Sequence, residues 1–397
     1  MVAADTLPTE APERLIRGAD HWWFLGPGGI AKVWQKQLDP LGELLPTAES
    51  NLREAGLYRR RDYRVYALTV LTSTDCNLGC GYCFQNTGQD LTGGNRPPRI
   101  SHARLTSDAI DRILGFVRRQ MTAEDLQKLS IMLFGGEPLL NFKGCRELLT
   151  RAADCGLVSA SMISNGVLLT PLIARELAAL GLRSVQITFD GDRDDHDSIR
   201  VRRSGGGTFG AIVANVAAAS AAADRLRWSL RVNVSHHTHA GVPALISRLA
   251  EQVDTARCTI YFARVGDVGV GYGNELLHTG QLATDFISWN RQALELGFQV
   301  PRPAARPACQ ACSYKNGQYG AVVNPDGTLY SCWETSGRPG FEVGSVDDGY
   351  LPTSQTGDRW LTCADKYQYA DDTAALTIFQ DTVDAALLDD LKAAGRL

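Results

Sequence analysis

Apolar and polar positions repeat in a fixed rhythm between residues 66 and 296. Short runs rich in β-branched residues are each followed by a longer stretch with the three-to-four-residue apolar spacing of a helix. The runs predict strands at Tyr66 to Ser73, Leu129 to Phe134, Ser159 to Ile163, Ser184 to Phe189, Trp228 to Val234 and Thr259 to Ala263. The stretches that follow predict helices near residues 104 to 119, 143 to 153, 170 to 180, 207 to 224, 241 to 252 and 281 to 296. Thr170-Pro171 reads as a helix start and Gly181 as a stop. Six β/α units in a row predict an α/β protein with a parallel sheet, either curved into a partial barrel or wound as an open sheet. In both, a site is expected where the strands end at their carboxyl edge.

The rhythm stops near residue 298, where Pro301, Pro303 and Pro307 break helical periodicity. The run from Gly320 to Asn324, the turn Pro325-Asp326-Gly327 and the run from Thr328 to Cys332 predict a β-hairpin. Residues 371–397 predict a terminal amphipathic helix or helix pair. Residues 1–65 show no clear strand-strand-helix pattern; their aromatic patch, Trp22-Trp23-Phe24, is expected to pack against the six-unit core, and a turn-rich Gly26-Pro27-Gly28-Gly29 follows it. Four parts result: an extension at 1–65, the six-unit core at 66–298, the hairpin region at 299–370 and the terminal helical segment at 371–397.

Composition changes this picture little. The chain has 397 residues, 44% hydrophobic and 21% charged, with a formal net charge of -4. The start lacks a basic segment followed by an apolar one, and no long uncharged apolar stretch occurs, so a cytoplasmic protein without membrane contact is expected. The densest basic run, Arg59-Arg60-Arg61, asks for no nucleic acid. The acidic loop around Asp190 to Asp197, and Arg200, Arg202 and Arg203 beside it, read as solvated surface, with His196 closing the loop by hydrogen bonding.

The ten cysteines do change it. Disulfides are unlikely in a reducing compartment, so clustered cysteines read as metal ligands and Cys145, Cys155 and Cys258, among apolar neighbours, as core. Cys76, Cys80 and Cys83 follow the first predicted strand. Three thiolates at these spacings can wrap one face of a [4Fe-4S] cube and leave its fourth iron without a protein ligand. A zinc site is the alternative for a three-cysteine run taken alone. Gln186 and Thr188, and Arg231 and Asn233, alternate along the fourth and fifth strands and are expected to point inward. A polar inward face costs stability unless it is hydrogen bonded, which favours a ligand or a water-filled cavity there.

Cys-x3-Cys-x2-Cys with Tyr82 before the third cysteine resembles the signature of the radical S-adenosylmethionine (SAM) superfamily. Gly135-Gly136-Glu137-Pro138, Ser164-Asn165-Gly166 and Phe189-Asp190-Gly191 follow successive predicted strands in the order that resemblance expects. His196 through Gly207-Thr208-Phe209, and Arg231-Val232-Asn233-Val234, resemble the subfamily with an extra iron-sulfur domain, which includes peptide maturases and anaerobic sulfatase-maturing enzymes. The resemblance covers roughly residues 66 to 345. It implies a partial (β/α)6 TIM-like barrel with a C-terminal iron-sulfur auxiliary domain containing a β-hairpin. It also implies a [4Fe-4S] cluster on Cys76, Cys80 and Cys83 whose open iron is chelated by the amine and carboxylate of SAM. Tyr82, Gly135, Gly136, Glu137 and Pro138 are then placed against SAM, with Ser164, Asn165, Gln186, Thr188, Arg231 and Asn233 as further binding residues. Asp190 joins the catalytic set as a ribose anchor, a substrate-positioning group or a turn brace.

Cys309-x2-Cys312, then Gly327-x4-Cys332, resembles the opening of the SPASM and twitch auxiliary domains. Only Cys363 remains after it, so the chain departs from the two-cluster form. Cys309, Cys312, Cys332 and Cys363 make four ligands, enough for one auxiliary [4Fe-4S] cluster; a zinc site of four cysteines is the alternative. The expected activity is reductive cleavage of SAM to a 5'-deoxyadenosyl radical and hydrogen abstraction from a ribosomally made precursor peptide, ending in an oxidative crosslink. A small-molecule dehydrogenase or carbon-skeleton enzyme, or a peptide epimerase, is the alternative. A reducing partner such as flavodoxin or ferredoxin is implied, and oligomeric state is left open.

Overall fold

A computed structural model describes residues 13–59, 64–83, 85, 100–266, 273–305, 317–360 and 373–397. Strands β1 (Arg14–Arg17), β2 (Trp22–Gly26) and β3 (Gly29–Val33) form an antiparallel sheet in chain order, followed by helix α1 (Pro46–Glu54). This differs from the patternless extension expected. The strands are only four or five residues long, and the Gly26–Gly29 turn closes the hairpin between β2 and β3.

The six β/α units follow. Strands β4 (Val65–Ser73), β5 (Lys128–Gly135), β6 (Leu157–Ser164), β7 (Leu182–Phe189), β8 (Arg227–Val234) and β9 (Cys258–Arg264) run parallel in chain order. Helices α2 (Ser107–Ala123), α3 (Phe142–Ala152), α4 (Pro171–Ala179), α5 (Arg193–Ile199), α6 (Phe209–Ala222), α7 (Val242–Ala250) and α8 (Gly280–Glu295) lie between and after them. An order without reversal, with right-handed crossovers, puts the helices on one face of the sheet. The strand residues facing them, such as Leu129, Ile131, Leu133, Val185, Ile187 and Phe189, are buried in one continuous core with Cys145 and Cys258. Thr106, Asn141 and Thr170 accept backbone N–H groups at the starts of α2, α3 and α4, which fixes where each helix begins. The stretch read as an acidic loop contains α5; its imidazole, His196, is fully buried.

The sheet does not stop at β4. Strand β10 (Gly320–Val323) pairs parallel with β4, and β11 (Thr328–Tyr330), β12 (Glu342–Ser345) and β13 (Gly349–Tyr350) continue antiparallel, making ten strands. The predicted hairpin is therefore an extension of the core sheet. A Cβ at Gly320 would lie 2.5 Å from the carbonyl oxygen of Ala67, so glycine allows that close pairing. A short helix α9 (Thr353–Thr356) precedes helix α10 (Thr373–Ala393), which is one helix and not a pair.

Helix α10 packs on the first sheet. Ile16, Trp23, Leu25, Ala385 and Leu388 form a core of their own, while Phe24 packs with Val33, Leu38 and Leu52. The aromatic patch thus buries itself against α10 and α1 and not against the six-unit core. Arg14 bonds Asp381 at 2.6 Å and Asp384 at 2.7 Å, and Trp23 Nε1 donates to Asp389 at 2.9 Å. No described helix is long and apolar enough to cross a membrane.

Leu388, fully buried between α10 and the first sheet, is the test of this clasp. Leu388→Ala should lower unfolding free energy by about 2–5 kcal/mol in urea titration, the usual cost of an aliphatic cavity.

Candidate functional site

The site grows from the carboxyl ends of β4 to β8. Strand β4 ends at Ser73, and the chain runs directly into the loop carrying Cys76, Cys80 and Cys83, all half-buried. The end of β5 folds back along this segment: Gly136 N donates to Ser73 O at 2.9 Å and Glu137 N to Asp75 O at 2.8 Å. Gly135 has φ +129°, and a Cβ there would lie 2.1 Å from Ser73 O. Its first reason for being glycine is thus contact with the neighbouring strand end, before any ligand is considered.

Glu137 is fully buried and bonded on both oxygens. It accepts from Ser164 Oγ at 2.9 Å, Asn165 N at 2.7 Å and Leu139 N at 3.1 Å. Burial raises its pKa, and the donors from Asn165, Leu139 and Ser164 oppose that rise. Beyond shaping a turn, this carboxylate ties the end of β5 to the end of β6. Asn165 Nδ2 then reaches the cysteine loop, donating to Asn77 Oδ1 at 2.7 Å with Cys76 Sγ 3.7 Å away. Pro138 opens the short turn of helix after Glu137, and its carbonyl accepts from Thr72.

A second buried network lies across the site. Tyr82 Oη donates to Asp190 Oδ2 at 2.8 Å, and Arg200 Nη1 reaches Tyr82 Oη at 2.9 Å and Asp190 Oδ2 at 3.3 Å. Asn233 Nδ2 donates to Tyr82 Oη at 3.0 Å, and Arg231 Nε to Asn233 Oδ1 at 2.8 Å. The side chain of Asp190 is 2% exposed and that of Arg200 is 9%. Burial raises the Asp190 pKa; Arg200 and the bond from Tyr82 pull against it. Arg200 is thus no surface group. Its sequence neighbours Arg202 and Arg203 gave no hint of burial, because the turn that sinks it is made by α5.

His196 is the pivot of that turn. Its Nδ1 accepts from Asp190 N at 3.4 Å, its Nε2 lies 3.1 Å from Thr208 Oγ1, and Thr208 donates onward to Arg200 O at 2.8 Å. This assigns the proton to Nε2. A second ring proton would face the Asp190 N–H, and burial, aided by Arg200, depresses the pKa to about 2. Asp197 accepts the backbone N–H groups of Thr208 and Phe209, closing the same turn.

Gln186 accepts from Tyr261 Oη at 2.7 Å, and Thr188 is buried beside Asp190 on β7. Tyr261 had no signal in the sequence beyond its place on β9. A cavity of about 650 Å³ opens along the amino-terminal half of the sheet, away from the cysteine loop, lined by Thr69, Ser130, Met132, Ser161 and Ser184, with Trp333 at one wall.

Three thiols in one loop suit a thiophilic iron cluster by donor chemistry. Burial raises Cys76 to about 11 and Cys80 to about 12, and among the described residues no three His, Cys, Asp or Glu side chains stand close enough together to hold a metal ion. Of the second cysteine group, Cys332 is buried after β11, its carbonyl accepting from Thr335; Cys309, Cys312 and Cys363 lie outside the described residues.

Residues 70–248 match the family model described as the Radical SAM superfamily. Among curated proteins it is similar to the radical SAM cyclopropyl synthase TigE of Paramaledivibacter caminithermalis, 28% identical over 34% of this chain and 29% of that protein. The GTP 3',8-cyclase of Peptoclostridium acidaminophilum is 31% identical over 32% of this chain and 35% of its own length. The sporulation killing factor maturation protein SkfB of Bacillus subtilis is 28% identical over 36% of this chain and 30% of its own length. The matched region is thus about a third of each relative. Among solved structures, native anSMEcpe with bound AdoMet superposes with a TM-score of 0.59 at 15% identity, covering 84% of this chain and 100% of that one, a likeness of fold.

Two outcomes follow from the site's geometry. Gly135→Ala, forced against Ser73 O, should cost about 1–3 kcal/mol in urea unfolding, as a strained backbone position does. Because the His196 pKa is depressed when folded, its contribution is full above pH 6.5 and is lost as pH falls toward 2. Unfolding free energy measured from pH 7 to about pH 5 should fall in the wild type, and His196→Gln should remove one proton from that slope.

Proposed function

We propose that the protein is a radical SAM enzyme that modifies a ribosomally made peptide by hydrogen abstraction, ending in an oxidative crosslink. The observation that carries this reading is the joining of the cysteine loop to the ends of β5, β6, β7 and β8 by Glu137, Asn165, Asp190 and Asn233. In this reading Cys76, Cys80 and Cys83 hold three irons of a [4Fe-4S] cluster and leave the fourth to the amine and carboxylate of SAM. When bound, the cluster supplies one electron to the sulfonium, and the adenosyl fragment released takes a hydrogen atom from substrate.

The chain's own residues orient and enclose. The segment from Gly135 to Pro138 presents backbone to the methionine part, and Ser164 and Asn165 stand at its carboxylate or ribose side. Tyr82, Thr188, Gln186, Arg231 and Asn233 form the inner wall. Asp190 already accepts from Tyr82 and Arg200 and is buried, which favours a bracing role for it over that of a base. The unreversed strand order supports a partial barrel. Cys309, Cys312, Cys332 and Cys363 would hold one auxiliary [4Fe-4S] cluster, accepting the electron that an oxidative outcome releases. A flavodoxin or ferredoxin is the proposed electron donor. The similarity to SkfB, whose name is that of a maturation protein, and to anSMEcpe, which has also been solved with bound AdoMet and a peptide, supports a peptide substrate.

The test is anaerobic turnover of reconstituted protein with SAM, dithionite and candidate precursor peptides. Release of 5'-deoxyadenosine with loss of two hydrogen atoms per crosslink is expected, and Cys76→Ala, Cys80→Ala and Cys83→Ala should each abolish both. An unchanged peptide mass with solvent deuterium incorporated redirects the reading to epimerisation. Turnover of a free sugar or amino acid, without any peptide, favours the small-molecule dehydrogenase.

A further inference from the structure

The guanidinium of Arg200 is the one part of the site network to which the proposed reaction assigns no task, and it is built in from every side. Its segment is joined to the cysteine loop as a short antiparallel ladder: Gly79 N donates to Val201 O at 2.8 Å, Arg203 N to Asn77 O at 3.0 Å, and Leu78 pairs with Arg202. The Arg200 backbone is pinned in turn, its N–H donating to His196 O and its carbonyl accepting from Thr208 Oγ1, both at 2.8 Å. The side chain spans from Tyr82, two residues beyond Cys80, to Asp190 at the end of β7. Its Nε is buried with no hydrogen-bond partner among the described residues, so the group's desolvation is only partly compensated.

We propose that Arg200 is a positioning residue for the cysteine loop, tying it to the end of β7 and supplying the buried positive charge that faces an iron-sulfur cluster held by Cys76, Cys80 and Cys83. The proposal rests on the reading of those cysteines as cluster ligands. Asp190 and Tyr82 hold the cation in place at the loop. The guanidinium lies against the ring hydroxyl of Tyr82, the residue just before Cys83, while its own backbone segment pairs with residues 77–79. Among the described residues the other charged groups at the loop are Glu137, Arg203, whose Nε donates to Leu78 O at 3.2 Å, Asp75, which pairs with His102 and Arg104, and Arg338, which interacts electrostatically with Cys83 and Glu334. Adding an electron to a cluster adds negative charge, so a fixed cation nearby favours the reduced form. A planar guanidinium fork serves better than an ammonium because one group must bond the loop and the strand end together.

The test compares wild type with Arg200→Gln, Arg200→Lys and Tyr82→Phe by two readouts. One is the midpoint potential of the SAM-responsive paramagnetic signal of the reconstituted protein; the other is backbone amide exchange at residues 77–80 in the metal-free protein. Arg200→Gln should reduce the fraction of reduced cluster at a fixed poise by about tenfold, as expected from removing a nearby buried charge, and should speed Gly79 amide exchange about tenfold. Arg200→Lys should keep the potential but not the slow exchange, and Tyr82→Phe should speed exchange with a smaller change in potential. An Arg200→Gln protein with wild-type potential and wild-type exchange overturns the proposal. If Arg200→Gln fails to fold, Arg200→Lys decides, and wild-type exchange in that variant overturns the tie. A wild-type protein with no SAM-responsive signal sinks the cluster reading and the charge role with it, while the exchange measurement on metal-free protein still decides the tie.

Discussion

Two buried carboxylates govern the carboxyl edge of this sheet. Glu137 and Asp190 are both almost wholly removed from water, where an ion without partners is too costly to keep. Each meets that constraint by gathering donors from elements far apart in the chain: Glu137 from the ends of β5 and β6, Asp190 from the cysteine loop and the turn after α5. The consequence is mechanical. The loop bearing Cys76, Cys80 and Cys83 is gripped on one side through Asn165 and Asn77, and on the other through Tyr82 and the ladder at 200–203. A short loop that would otherwise be mobile becomes part of the sheet edge.

The same constraint explains which parts of the molecule could be read from the sequence. The six central strands are covered by helices on one face, so their apolar content is high and local, and every predicted strand lies within one to two residues of the observed one at each end. The motif residues also stand at the strand ends where the order of the motifs put them. What was illegible depends on partners distant in sequence. Strands β1 to β3 are short and find their cover on α10, more than 350 residues away, so no local pattern announces them. Likewise nothing in Arg193-Asp194-Asp195-His196-Asp197 marks a helix with a buried imidazole, because Thr208 and Asp190 create that burial. Arg200 was hidden for the same reason.

Continuity of the sheet bears on how the later part of the chain can act on the site. Strand β10 lies against β4, whose carboxyl end leads straight to Cys76, and the turn after β11 brings Trp333 onto Phe134 of β5 and Arg338 within electrostatic reach of Cys83. The described part of the region after residue 299, Cys332 included, is therefore carried on the same sheet as the cysteine loop.

The inner face of the six strands divides along its length. Toward the carboxyl ends it is a closed polar network, with Tyr82, Asp190, Arg200, Asn233 and Arg231 bonded to one another. Toward the amino ends a cavity opens that is lined by Ala67, Thr69, Ser130, Ser161 and Ser184 together with Met132, Trp333 and the arginines Arg183, Arg225 and Arg227. Small hydroxyl-bearing residues leave volume and supply donors and acceptors without fixing one ligand shape, whereas the network above them leaves little freedom. The division separates a part whose groups hold one another in place from a part with room for a bound group, and positioning of reacting groups depends on the first while admission depends on the second.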